Sequence, residues 1–381
     1  MTTSPLPAIR PGRLKELLSR LLDIYSPSGK EEEALQFLEA YLKGHGISPL
    51  RQTVEGGRHN LVVLPPGGNA SLALIAHIDT VAAYDYDRYG FKEQGDLVFG
   101  LGAADMKGGC AAMIEAYVTL MGNASAPYPV ALALVVGEEE EGDGCRRLVR
   151  DTHFPWAVIG EPTALRPCLK HYGYLELEIT THGKRMHASL ARQGENPIET
   201  MLRFLLRLLH HIETHRQEIV YNIRDLSSSH AGFAVPDRCN AWLDLHVPPS
   251  APVGEIIMEI EDLLLHERRE QPEFKGSLRF PNIHPGYELP EKGSFVNAWR
   301  QAYSKHAIPW EPEAFRSHSD ANLLWAAGIK PVLMGPGHLE KAHAPDESVS
   351  FSEVVQASRL YLDLMLSLSP DGSGDAPSKE A

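Results

Sequence analysis

The stretch SLALIAHIDT (71–80) is an unbroken apolar run that ends in polar residues. Continuous apolar strands, rather than alternating ones, are typical of a parallel sheet that is covered by helices on both faces. Three further segments share this pattern, namely VALALVVG (130–137), WAVIGEP (156–162) and KPVLMGPG (330–337). We therefore predict an α/β domain built on a mainly parallel sheet, in which a ligand would bind beyond the carboxyl ends of the strands.

Helical patterns lie between these strands, as the connections of a parallel sheet require. A leucine stripe predicts a helix over 13–24, and small residues open a second predicted helix over 106–121. Ser28 and Glu31 have the spacing of a capping box, which predicts a helix start in SPSGKEEE. The remaining elements predicted for this domain are a strand in NLVVLPP (60–66) and helices in FVNAWRQAYSKH (295–306) and SDANLLWAAG (319–328).

The pattern changes near residue 172. The segments YLELEITTH (174–182) and NAWLDLHV (240–247) alternate apolar and polar residues, as half-exposed antiparallel strands do. Amphipathic helices are predicted over 196–215 and 253–269, and LRFPNI (278–283) is a candidate closing strand. We therefore expect an inserted α+β domain over 172–284, which divides the catalytic domain into 1–171 and 285–381.

Composition narrows the possible partners. The formal net charge of −14 argues against nucleic acid or a membrane surface as the main partner, because both attract basic patches. Cys110, Cys145, Cys168 and Cys239 form no CxxC pair, so we expect free thiols in a reducing compartment. Residues 1–25 lack a secretory signal pattern, and no run of about 18 apolar residues predicts a membrane span. We expect a cytoplasmic protein.

Acidic and imidazole side chains cluster just after the predicted strands. They are His77 and Asp79, Asp105, Glu138 and Glu139, Glu161, and His343. Massed carboxylates repel one another and are costly to desolvate, and a divalent cation removes that cost. Mixed histidine and carboxylate ligands suit Zn²⁺, and a two-metal site needs a carboxylate between the ions. Asp105, a short side chain at a predicted helix start, is our candidate for that bridge.

At this point the sequence resembles a known family. The motifs are SPSGKEE (26–32), AHIDTV (76–81), GLGAADMKGG (100–109), GEEEEGDG (137–144), GEPT (160–163) and GPGHLEKAHAPDE (335–347). In this order they resemble the two-zinc deacylases, which include acetylornithine deacetylase, succinyl-diaminopimelate desuccinylase, aminoacylase and bacterial glutamate carboxypeptidase. The GEPT and AHAPDE segments are most similar to the acetylornithine deacetylase branch.

The resemblance implies a role for each clustered residue. His77 and Glu161 would hold one metal ion, Glu139 and His343 would hold the other, and Asp105 would bridge them. The Asp79 carboxylate would hydrogen-bond His77 and set its tautomer. Glu138 would be the general base. In the inserted domain, His187 of GKRMHAS (183–189) would stabilise the oxyanion, often from the partner subunit of a dimer.

Three assignments have alternatives. The run Glu138–Glu141 allows a frame in which Glu139 and Glu140 take the two roles, and His338 competes with His343 for the last ligand position. Relatives carry an arginine that grips the substrate carboxylate where this chain has His246, and a neutral imidazole cannot give that bidentate contact. Arg316 is a candidate substitute.

These residues predict an enzyme that uses two divalent ions, Zn²⁺ or alternatively Co²⁺ or Mn²⁺. It would cleave the amide bond of an N-acyl amino acid or a related small substrate with a metal-activated water. A dipeptidase or carboxypeptidase with the same dinuclear site is the first alternative, and a non-catalytic binding protein is the second. We also expect a homodimer formed through the inserted lid domain.

Overall fold

A computed structural model of the protein describes residues 7–85, 89–123, 126–193, 195–271 and 273–368. The helices, in chain order, are α1 (Pro11–Asp23), α2 (Glu32–Gly44), α3 (Gly108–Met121), α4 (Asp143–Asp151), α5 (Pro197–His215), α6 (Val253–Glu270), α7 (Ser294–Lys305), α8 (Asp320–Ala326) and α9 (Phe351–Leu366). Among these described helices, none has both the length and the apolar composition needed to span a bilayer.

The strands are short and numerous. In chain order they are β1 (Leu50–Thr53), β2 (His59–Val63), β3 (Leu72–His77), β4 (Lys92–Gln94), β5 (Leu97–Phe99), β6 (Val130–Val135), β7 (Trp156–Ile159), β8 (Cys168–His171), β9 (Gly173–His182), β10 (Met186–His187), β11 (Val220–Ser228), β12 (Ala234–Val235), β13 (Arg238–Val247), β14 (Gly276–Arg279), β15 (Ile283–His284), β16 (Tyr287–Glu288), β17 (Glu313–Phe315), β18 (Lys330–Leu333) and β19 (Ser348–Ser350).

The chain divides into two compact units. The first contains residues up to Leu169, Leu289–Phe315 and the chain from Ser319 onward, and the second contains Lys170–Glu288 with Arg316–His318. The mixture of an α/β unit with an α+β unit confirms the predicted fold class.

The sheet of the first unit has a parallel centre. Strands β6, β3, β7 and β18 are adjacent and parallel. Every residue of β3, β6 and β7 is buried, which explains their unbroken apolar sequences. The edges are antiparallel, because β2 pairs antiparallel with β6 and β8 pairs antiparallel with β18. The carboxyl ends of β3, β6 and β7 therefore lie side by side.

Two groups of helices pack on this sheet. Helix α3 packs against α1 and α9, and α4 packs against α8. Helix α3 is buried on all sides, as is typical of a helix in the centre of a domain. A Cβ atom at Gly109 would overlap the carbonyl oxygen of Gly160, so only glycine permits this approach of α3 to the segment after β7.

The second unit is an antiparallel sheet in the order β11-β13-β9-β14, with α5 and α6 packed on it. Leu175, Leu177 and Leu243 are fully buried in its core, and each contributes about 1.5–3 kcal/mol relative to an exposed position. The alternate residues Glu176 and Glu178 point to the other face, where they form ion pairs with arginines. This two-sided pattern accounts for the alternation in the sequence.

Candidate metal centre

Asp105 lies between two imidazole rings. Its Oδ1 is 3.2 Å from Nε2 of His77, and its Oδ2 is 3.5 Å from Nε2 of His343. His77 is the last residue of β3, Asp105 lies in the turn before α3, and His343 is in the loop after β18. The two oxygens of one carboxylate thus face two histidines from opposite ends of the sequence.

The first ligand group consists of His77, Asp105 and Glu161, whose candidate ligand atoms lie within 4.8 Å of one another. Glu161 follows β7 by two residues and is almost fully buried. Its Oε1 is 3.9 Å from Nε2 of His77 and accepts no hydrogen bond from the described residues.

The second ligand group consists of Asp105, Glu139 and His343, again with candidate atoms within 4.8 Å. Nε2 of His343 lies 3.0 Å from Oε2 of Glu139. The His343 side chain is 51% exposed, so this group is more open to solvent than the first. Asp105 belongs to both groups, and within the described residues no third group of this kind occurs.

The backbone of Asp79 orients His77. Nδ1 of His77 donates to the carbonyl oxygen of Asp79 at 3.0 Å, which turns the ring so that Nε2 is directed at Asp105, 3.2 Å away. The family resemblance implies this contact for the Asp79 carboxylate, but that carboxylate lies 3.7 Å from Nδ1 at its nearest oxygen. It instead accepts the N–H groups of Glu138 and Glu139 at 3.2 and 3.1 Å, and the Ser28 hydroxyl at 2.7 Å. Asp79 therefore holds the turn after β6.

This turn separates the four consecutive glutamates. Glu139 points to His343, and Oε2 of Glu138 lies 3.9 Å from Nε2 of His77, while Glu140 and Glu141 are exposed. Glu138 belongs to neither ligand group. The geometry therefore favours the frame in which Glu138 and Glu139 have the two roles over the shifted frame.

Crowding shifts the ionisation of these groups. Burial raises the pKa of Glu138 and of Glu161 well above the usual range, and the charge of Asp105 adds to the shift at Glu161. Hydrogen bonds to Asp105 and Glu139 raise the pKa of His343 to about 10. Although burial opposes it, hydrogen bonds from His343 and His77 lower the pKa of Asp105.

The residues fit a pair of divalent cations. A buried Glu161 oxygen has no hydrogen-bond donor among the described residues, and burial raises the pKa of Glu161 itself, so this carboxyl resists ionisation. The donor set mixes imidazole nitrogen with carboxylate oxygen, which suits Zn²⁺ and other borderline divalent ions. A cation in each ligand group would supply the partner that Glu161 lacks and favour the ionised carboxylates.

Sequence reasoning missed Glu347, which contacts the loop of Asp105. The side chain is 4% exposed and accepts backbone N–H groups from Gly102, Ala104 and Asp105. It belongs to the quoted AHAPDE segment, four residues after His343. That position was the available signal, although the contact joins residues more than 240 positions apart.

The other candidate residues lie outside the two ligand groups. His338 lies 3.9 Å from Glu353, so His343 and not His338 reaches Asp105. In the second unit, His187 is exposed and its Nδ1 accepts the backbone N–H of Ser189 at 3.2 Å. His246 lies on β13, where its buried Nδ1 has no hydrogen-bond partner among the described residues. Arg316 is exposed.

Comparison with known proteins identifies the class. Residues 73–367 match the family model of Peptidase family M20/M25/M40, and the chain belongs to this family. The chain is 28% identical over 353 residues to an acetylornithine deacetylase of Edwardsiella ictaluri, covering 88% of this chain and 90% of that protein.

Two solved structures share the fold. A tripeptidase from Staphylococcus aureus has a TM-score of 0.79 at 19% identity and covers 94% of this chain and 99% of its own. A Bacillus subtilis protein, described as a dinuclear metal-binding peptidase of the M20 family, has a TM-score of 0.69 at 15% identity and covers 93% and 97%. The protein is a metal-dependent hydrolase of this family, so the predicted family and enzyme class are confirmed.

Proposed function

We propose that the protein is a dinuclear amidohydrolase that removes the acyl group from an N-acyl amino acid or a closely related small substrate. The observation that carries this proposal is the position of Asp105, whose two oxygens face His77 and His343 in two ligand groups. The similarity to acetylornithine deacetylases along most of the chain supports a deacylase over a peptidase.

The ligand groups give each ion its residues. His77, Asp105 and Glu161 would hold one ion, and Asp105, Glu139 and His343 would hold the other. We propose Zn²⁺ as the ion, with Co²⁺ or Mn²⁺ as substitutes. When bound, such ions lower the pKa of a water molecule and polarise the carbonyl group that it attacks.

Glu138 is the proposed general base. Its carboxylate would take a proton from the attacking water and pass it to the leaving amine. Two observations support this role: the side chain lies beside the ligands without joining either group, and burial raises its pKa, so it holds a proton more readily than an exposed glutamate does. Asp79 would act through the backbone N–H groups that hold Glu138 and Glu139 in place.

His187 is the proposed oxyanion donor, supplied by the second unit. Because its Nδ1 accepts the N–H of Ser189, the ring proton of the neutral imidazole is on Nε2, which can donate to a developing oxyanion. His246 and Arg316 are proposed substrate contacts in the same unit. We propose that the first unit is the catalytic domain and that the insert, predicted as 172–284, is the lid.

We further propose a homodimer formed through the lid. Strand β11 ends the sheet of the second unit, and no other described strand pairs with its outer edge. Its residues Val220, Ile223 and Leu226 are exposed, and α5 exposes Leu202 and Leu206. An unpaired edge beside exposed apolar side chains is suited to pairing with a second copy. A stable monomer with full activity in sedimentation experiments would contradict this assembly.

A cytoplasmic location is also proposed, because the four cysteines are free and buried.

A substrate screen tests the proposed reaction. Chelator-treated protein, reloaded in turn with Zn²⁺, Co²⁺ or Mn²⁺, should hydrolyse N-acetyl amino acids faster than dipeptides. The reverse preference would favour the dipeptidase alternative. Protein that binds two ions but releases no product from either substrate class would favour the non-catalytic binding protein.

A further inference from the structure

Glu347 joins the two chain segments that carry Asp105 and His343. Its Oε1 accepts the N–H groups of Ala104 and Asp105, both at 3.0 Å, and its Oε2 accepts the N–H of Gly102 at 2.8 Å. One buried carboxylate thus satisfies three donors of a single loop. Three hydrogen bonds to one buried side chain leave the loop little freedom, so they define its position tightly.

The backbone of Glu347 ties the same loop to the sheet. Its carbonyl oxygen accepts the N–H of Gly100 at 3.2 Å, and the next residue, Ser348, pairs with Phe99 of β5. On its other side, the N–H of Glu347 donates to Ala344 at 3.1 Å, which closes the turn after His343. Glu347 therefore stands where the Asp105 loop, strand β19 and the His343 turn meet.

The far side of the Asp105 loop is also anchored. The buried Lys107 donates its Nζ to the carbonyl oxygens of Leu21 and Ile24 at 3.0 and 2.8 Å, and its N–H donates to Gly102 at 2.7 Å. These bonds secure the loop after Asp105, and Glu347 secures it before and at Asp105. The backbone N–H of Asp105 itself has Glu347 as its acceptor.

We propose that Glu347 is a positioning residue for both metal ions, although its carboxylate belongs to neither ligand group. This inference rests on the proposed bridging role of Asp105. A ligand that belongs to one group affects one ion, but displacement of the shared Asp105 affects both. Loss of the Glu347 contacts should therefore weaken the binding of both ions together. This joint effect distinguishes Glu347 from a residue that only stabilises the fold.

The test compares Glu347→Gln and Glu347→Asp with the wild type. In Glu347→Gln the amide has one acceptor oxygen and one NH₂ group, so at least one of the three backbone donors faces another donor. Glu347→Asp keeps the carboxyl group but is one methylene shorter, so it reports on the geometry of the contact. Both variants should bind both ions about 10–100-fold more weakly than the wild type.

The measurement is a Co²⁺ titration of chelator-treated protein, read by the visible absorption of the bound ion. Glu115→Gln is the matched control, because Glu115 is also buried in the first unit and accepts several hydrogen bonds, from Arg10, Arg13 and Thr119. This control should lose stability but keep two Co²⁺ ions with wild-type affinity and spectrum.

The outcomes are distinct. Weaker binding of both ions in both Glu347 variants, with an unchanged Glu115→Gln control, supports the positioning role. Wild-type affinity in either Glu347 variant, loss of only one ion, or the same loss in the control would overturn it. A wild-type protein that binds fewer than two Co²⁺ ions would instead refute the dinuclear assignment, and this inference with it.

Discussion

Asp79→Asn isolates the contribution of one carboxylate to the turn that carries Glu138 and Glu139. Asp79 is fully buried, and its two oxygens accept the N–H groups of these glutamates on separate atoms. An asparagine offers one acceptor oxygen, so in either orientation one of the two N–H groups loses its partner. A buried unsatisfied donor costs about 1–3 kcal/mol, and we expect the free energy of unfolding to fall by that amount.

The assay is urea unfolding of chelator-treated protein, together with kcat of the reloaded enzyme. Because the turn holds a ligand and the proposed base, kcat should fall by about 10–100-fold. Ser28→Ala is the control, since Ser28 donates to the same carboxylate but contacts neither glutamate N–H. Ser28→Ala should lower the free energy of unfolding by about 0.5–1.5 kcal/mol and leave kcat near the wild-type value. Wild-type stability and turnover in Asp79→Asn would refute the reasoning.

Three further predictions concern the base, the oxyanion donor and pH. Glu138→Ala should keep two bound ions and lower kcat by about 10²–10⁴-fold, and equal activity would contradict its role. His187→Ala should lower kcat by about 10²–10³-fold, and mixing it with Glu138→Ala subunits should restore activity only if His187 acts across a dimer. Burial raises the pKa of Glu161 above 4.5, and hydrogen bonds to Asp105 and Glu139 raise the pKa of His343 to about 10. Without metal, the folded state therefore binds more protons than the unfolded state. The Tm of chelator-treated protein should then fall as the pH rises from about 5 to 9. The increase in Tm caused by Zn²⁺ should grow over the same range, because the ion binds the deprotonated ligands. An increase in Tm that does not vary with pH would argue against these ligands.

The sequence predicts the centre of the fold better than its edges. The apolar runs at β3, β6 and β7 are those of a parallel sheet, because burial on both faces leaves few polar positions. The direction of β2 could not be predicted, since its five residues are compatible with either pairing. Its antiparallel pairing with β6 depends on how the chain turns outside the strand.

Local patterns failed where tertiary contacts compete with them. Ser28 and Glu31 have capping-box spacing, but α2 has no side-chain cap. Ser28 donates to Asp79 instead, and Glu31 pairs with Arg58 at 3.2 Å. These partners are distant in sequence. Each is a charged side chain, and a hydrogen bond to a charged group is stronger than one to a neutral backbone N–H at a helix N-terminus.

The candidate site, too, could be predicted from the sequence only in part. The spacing of motifs identified the residues that the structure brings around Asp105, because each follows the end of a strand or begins a helix. Motif spacing could not identify Glu347. Its contacts are to backbone N–H groups, which every residue except proline has, so they require no particular side chain in the Asp105 loop. The family resemblance assigned the His77 contact to the Asp79 side chain, since a sequence does not reveal which oxygen of a residue will be nearest.

Anomalous X-ray diffraction from crystals grown with Zn²⁺, collected at the zinc absorption edge, tests the dinuclear site most directly. We predict two peaks, one beside His77 and Glu161 and one beside Glu139 and His343, with an oxygen of Asp105 bound to each ion. A single fully occupied ion, or two ions held by residues that do not share Asp105, would contradict the account.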